Sequence, residues 1–123
     1  MKQIRFASLA AAACAAVALA FAADAPASKP DRELTAVNIE YEGTKVWVPA
    51  VFIVKKGEKV RLTLINNAPS GEHGYAINEF GVHAVVQKKG KQVVEFTAAK
   101  AGLFRIYCQM HPAHVGGQLL VLE

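Results

Sequence analysis

Cysteine is scarce in this chain: Cys14 and Cys108 are the only two among 123 residues. Methionine is equally scarce, with Met110 alone after Met1, and no stretch is rich in histidine. No segment shows a convincing helical period, nothing repeats, and no second domain is visible. The charge balance is thin as well. Fourteen Lys and Arg stand against ten Asp and Glu, for a net charge of +4. These absences exclude a disulfide framework, a Met-rich or His-rich metal store and electrostatic tracking of nucleic acid. The cluster Lys88-Lys89-Gly90-Lys91 reads as a solvated turn.

What is present begins with a targeting signal. Met1 to Arg5 is short and basic, Phe6 to Phe21 is apolar, and Ala20-Phe21-Ala22 offers small residues for cleavage. This pattern predicts a signal peptide cut after Ala22, and therefore a periplasmic protein. Cleavage leaves about 101 of the 123 residues and removes Lys2 and Arg5, which lowers the net charge from +4 to +2. Cys14 leaves with the signal. Cys108 then stands alone in an oxidising compartment, where an unpaired cysteine needs a reason. No membrane span is expected once the signal is gone.

Residues 23–33 are rich in Ala, Pro, Ser, Lys and Asp and read as a flexible leader. From Leu34 the pattern is strand-like. Val37, Ile39 and Tyr41 alternate with polar residues, and Val46-Trp47-Val48 and Ala50 to Val54 flank Pro49. In Lys59 to Asn66, the side chains of Val60, Leu62 and Leu64 share one face. Further runs cover Glu72 to Ile77, Val82 to Val86, Gln92 to Thr97, Leu103 to Tyr107 and Gln118 to Leu122, with turn signals between them. The pattern predicts an all-β sandwich of seven or eight short strands over residues 34–123. Trp47, Phe52 and Phe96 are assigned to its core or sheet surface.

The chemistry gathers at Cys108-Gln109-Met110-His111-Pro112-Ala113-His114. The spacing is C-x2-H-x2-H between two strands, so the loop hangs at one end of the sandwich. A soft thiolate with two imidazoles suits copper or zinc. Another ligand from a different loop could be His73, which opens a strand just past a Pro/Gly loop, or His83, which lies between apolar residues. Asn66 and Asn67 could hydrogen-bond the thiolate or tie the ligand loops together. Glu72 could tune or replace His73, and Met110 is assigned to packing or loop surface.

Residues 51–123 resemble the cupredoxins. The residues that carry the likeness are His73-Gly74-Tyr75-Ala76-Ile77, Phe80-Gly81-Val82, Phe96-Thr97-Ala98, Gly102-Leu103-Phe104, Cys108-Gln109-Met110-His111-Pro112 and Gly117 to Val121. The likeness is strongest to the plastocyanin-like and cytochrome-oxidase-subunit-II-like branch and to the red copper protein nitrosocyanin. It implies a Greek-key sandwich with one copper ion at its end, held by His73, Cys108 and His111. Where many members place a weak axial methionine, this chain has His114, so the expected ligand set is three histidines and one cysteine. An imidazole is a harder, stronger donor than a thioether. It should lower the potential and shift the colour from blue towards green or red.

Three functions fit these residues. The first is electron transfer, with a redox partner protein docking on an apolar rim of Pro112, Ala113 and Val115. The second is copper sequestration or delivery, which the absence of metal-rich tracts weighs against. The third is small-molecule chemistry at an open site. No acid/base pair beyond Glu72 accompanies that site, so the chain is read as non-enzymatic.

Overall fold

The computed structural model describes residues 28–123. The expected signal peptide, its cut after Ala22, Cys14 and residues 23–27 of the leader lie outside the described residues. Among the described residues are nine strands: β1 (Arg32–Tyr41), β2 (Thr44–Val48), β3 (Val51–Lys55), β4 (Lys59–Asn66), β5 (His73–Ile77), β6 (Val82–Val86), β7 (Lys91–Thr97), β8 (Gly102–Ile106) and β9 (Gly117–Leu122). One turn of 3-10 helix, Asn78–Phe80, joins β5 to β6. The strand beyond the expected seven or eight is β6. Its Val82, Ala84 and Val86 face inward, and it pairs antiparallel with β5.

One sheet has the order β2-β1-β4-β7, another β3-β9-β8, and β5 and β6 form a hairpin. Two parallel pairings, β1 with β4 and β3 with β9, tie distant parts of the chain together. The sheets close over one core built from Val60, Leu62 and Leu64 of β4, Phe52 and Val54 of β3, and Leu119 and Val121 of β9. Each such side chain removed from water contributes about 1.5–3 kcal/mol. Trp47 and Phe52 are buried core, and Phe96 packs against it. Gly117 is required where β9 passes Ala50, because a Cβ there would run into the Ala50 carbonyl. No helix among the described residues is long and apolar enough to cross a membrane.

Strand β1 departs from the sequence reading in two ways. It starts at Arg32 rather than after residue 33, because Arg32 pairs with Val60 in register and its guanidinium meets Glu58 at 2.9 Å. Its apolar alternation also faces outward: Ile39 is 39% exposed and Tyr41 71%. The inward row runs Ala36, Asn38, Glu40, with Asn38 fully buried. Strand β4 shows the same change of character, its inward row ending in a fully buried Asn66 that pairs in register with Asn38. The core is apolar along most of its length and turns polar at this end.

Candidate metal centre

Buried amides must be satisfied, and here they organise a site. Asn66 Nδ2 donates to the carbonyls of Gly71 (2.8 Å) and Val86 (3.0 Å). Its Oδ1 accepts from the Ala68 amide (3.1 Å) and from Asn38 Nδ2 (3.2 Å). The loop between β4 and β5 is thus fixed to the core, and it delivers His73 to the polar end. Asn66 secures the β4–β5 loop, reaches the other ligand loop only through Asn38 and His114, and makes no hydrogen bond to the thiol. Asn67 contributes its backbone N–H, donated to the Asn38 carbonyl at 2.9 Å.

The second ligand loop is pinned at both ends. Tyr107 exchanges backbone hydrogen bonds with Ala76 of β5, at 2.8 and 3.1 Å, which sets Cys108 beside Gly74. The Gly74 amide then donates to Cys108 Sγ at 3.2 Å. A Cβ at Gly74 would displace the end of the Gln109 side chain, which packs over it. At the other end, the Val115 amide donates to the Lys45 carbonyl at 2.8 Å. Between these anchors the His114 amide closes a turn onto the His111 carbonyl at 3.0 Å.

The result is a convergence of three donors. Ligand atoms of His73, Cys108 and His111 lie within 4.8 Å of one another. Cys108 Sγ is 3.5 Å from His111 Nδ1, and the His73 and His111 rings are 4.9 Å apart. His73 and Cys108 are buried, whereas His111 is partly exposed. His73 Nε2 lies 3.0 Å from Ser70 Oγ, but its Nδ1 is buried without any partner. Leaving such an acceptor unsatisfied costs about 1–3 kcal/mol, which a metal bond would offset.

His114 stands next to this cluster but does not join it. It is buried, its ring 5.3 Å from that of His73. Its Nε2 faces Asn38 Oδ1 at 2.9 Å and its Nδ1 the Val115 carbonyl at 3.1 Å. The other candidates lie elsewhere. His83 is exposed on β6, Glu72 accepts from Gln87 at the surface, and Met110 is half-buried in the loop. Asn38, Ser70 and the Gly74 amide went unread in the sequence. No local signal marked them: Asn38 falls where the alternation of β1 already expects a polar residue.

Burial holds the His73 imidazole below the ordinary histidine range, with positive charge on His114 and His111 acting in the same direction. Burial likewise lowers His114. Both rings therefore stay neutral near pH 7, as ligation of a metal by His73 requires. The sign for stability follows. Below the ordinary value of 6.5 the unfolded chain takes up protons that the folded chain refuses. The metal-free protein is thus expected to lose stability as pH falls through 6.5, by up to about 1.4 kcal/mol per pH unit for each ring. Thermal melts of the apo protein from pH 7.5 to 5 would show it; a flat profile would contradict it.

One thiolate and two imidazoles make a donor set suited to copper. A family model described as a cupredoxin-like domain matches residues 10–121. No curated protein sequence matches the chain. Among solved structures, a copper-binding protein in its apo form is 26% identical, with a TM-score of 0.55, over 76% of this chain and 91% of that one. Auracyanin B is 14% identical with a TM-score of 0.63, over 78% and 92%. The metal-binding domain of the Streptococcus pneumoniae Cu(I)-exporting P-type ATPase is 16% identical with a TM-score of 0.59, over 78% and 100%.

Proposed function

The chain belongs to the cupredoxin-like family, and from that premise we propose that it is an exported electron carrier using one copper ion. The observation that carries this reading is the difference in exposure among the three donors. His73 and Cys108 are enclosed, while the partly exposed His111 reaches the surface beside a cleft of about 260 Å³ lined by Gly43, Lys45, Pro112, Ala113 and His114. When bound, copper supplies a one-electron couple between Cu(I) and Cu(II).

The protein's own groups support that use. The anchored loops hold the donors in one arrangement, so little would move on gain or loss of an electron. The Gly74 N–H draws charge from Cys108 Sγ and favours the reduced state. The ring of His111, bordered by exposed Pro112, Ala113 and Val115, offers a small docking surface for a redox partner. Transient electron-transfer encounters use interfaces at the small end of the range. His114, tied to Asn38, forms the wall of the site. Substituting methionine there should leave the charge-transfer band in place, whereas a bluer, higher-potential site would make His114 a ligand.

Copper delivery is the second reading. It is favoured by a third imidazole, that of His114, whose ring lies 5.3 Å from that of His73. Voltammetry of the copper-loaded protein separates the two. A carrier gives a reversible one-electron couple and keeps its metal against an equimolar Cu(I) chelator. An irreversible couple with rapid metal loss would favour delivery.

A further inference from the structure

The two buried asparagines at the polar end of the core can each face only one way. Asn66 Nδ2 lies 2.8 Å from the Gly71 carbonyl and 3.0 Å from that of Val86, so both of its N–H groups are donated. Asn66 Oδ1 takes the Ala68 amide at 3.1 Å and is therefore an acceptor towards Asn38 as well. The Asn38 atom that meets it at 3.2 Å must be Nδ2, and the one that meets His114 Nε2 at 2.9 Å must be Oδ1. Turning the Asn38 amide over would set two carbonyl oxygens against each other. An amide oxygen only accepts, so Nε2 of His114 carries the ring proton.

This count leaves His114 Nδ1 unspent. A neutral imidazole has a single N–H, and burial keeps this ring neutral. Nδ1 then holds a lone pair 3.1 Å from the Val115 carbonyl, an oxygen with no proton to give. The ring thus makes one good hydrogen bond, to Asn38, and one poor contact. It stands 5.3 Å from the His73 ring, yet outside the group formed by the donors of His73, Cys108 and His111.

We propose that Asn38, oriented by Asn66, is a positioning residue that withholds a donor from copper: its hydrogen bond keeps the His114 imidazole out of the ligand set, and cutting that bond lets the imidazole in. A third imidazole favours Cu(II) over the Cu(I) that a thiolate prefers, so Asn38 keeps the potential high. The inference rests on the copper site but not on the carrier role, and its readouts need no redox partner.

Histidine 15N spectra of the apo protein above pH 7 should show His114 as the Nε2–H tautomer; the Nδ1–H tautomer would overturn the proposal. Asn38→Leu keeps the bulk and removes the acceptor. With Cu(II) added to that variant, the charge-transfer absorption should move from blue towards green or red. Affinity for Cu(II) relative to Cu(I) should rise about tenfold, the low end of what a group outside the ligand set is worth. That ratio corresponds to a potential lower by about 59 mV. Adding His114→Leu to Asn38→Leu should return both readings to wild type, because the extra donor is gone. An affinity ratio within about twofold of wild type in Asn38→Leu would overturn the proposal. So would a shift that persists in the double variant, which would trace to lost packing. If Asn38→Leu does not fold, Asn38→Ala carries the same readings, and the wild-type tautomer decides without either variant. A wild-type protein with no thiolate band would fail the copper site itself, a different result from a band that Asn38→Leu leaves unmoved.

Discussion

Cys108→Ala is expected to abolish the intense thiolate-to-copper absorption and to lower Cu(II) affinity by more than the ~100-fold that an outer hydrogen-bond partner is worth. Sulfur is the soft, charged member of the set, and without it only the two neutral imidazoles of His73 and His111 are left to hold the ion. The variant has a second, structural consequence. The Gly74 amide that donates to Sγ at 3.2 Å is left inside without an acceptor. An orphaned buried donor costs about 1–3 kcal/mol, so the apo protein should also melt lower. Cys108→Ser separates the two effects. Its hydroxyl can take the Gly74 hydrogen bond and recover stability, but as a hard, weak donor it does not restore the spectrum. Optical titration with Cu(II), with melts of both apo variants, reads the pair. A copper spectrum unchanged in Cys108→Ala would sink the assignment of the site.

Trp47→Ala should have the largest effect on stability. Trp47 is 3% exposed and packs edge-on against Tyr75 with ring centroids 5.3 Å apart. It stacks towards His114 at 6.4 Å. Its indole N–H donates to the Gly74 carbonyl at 2.9 Å. Truncating a buried tryptophan costs about 3–5 kcal/mol, a large share of the 5–15 kcal/mol that holds a domain folded. At roughly 4–8 °C per kcal/mol the melting temperature should fall by more than about ten degrees. Because Gly74 also donates to Cys108 Sγ, the loss reaches the site through one residue. Trp47→Phe keeps most of the bulk and removes the N–H, so it should lose only about 1–3 kcal/mol. Urea unfolding of the apo forms measures both. A loss under about 1 kcal/mol for Trp47→Ala would mean that the indole is not the link described. Saturating copper should recover part of the deficit by binding the folded state alone.

Much of this protein was legible as pattern. The period-two runs and their turn signals located all nine stretches that form strands, although Val82 to Val86 read only as an apolar run until β5 was seen to pair with it. The tight C-x2-H-x2-H loop, with one strand-opening histidine elsewhere, pointed to four donors, of which the structure brings His73, Cys108 and His111 together and sets His114 beside them. The apolar side chains of β1 were less informative. Val37, Ile39 and Tyr41 gave the strand its period, but the face they mark looks outward. At the metal end the inward face carries Asn38 and Glu40, because the groups it meets are imidazoles and amides rather than methyls.

By itself the sequence determined the all-β class, the position of the ligand loop and the type of metal that a thiolate with imidazoles prefers. These depend on residue type and on spacing within a few residues, which the chain carries openly. The tertiary structure alone decided what surrounds each donor. Parallel pairing of β1 with β4 sets Asn38 beside Asn66, 28 residues away, and Asn38 in turn holds His114, 76 residues on. Two residues further along, Glu40 continues the same inward row of β1 and meets Lys45. A histidine's role as ligand or wall depends on which nitrogen has a free lone pair. Partners brought in from distant strands set that, and no local pattern records them.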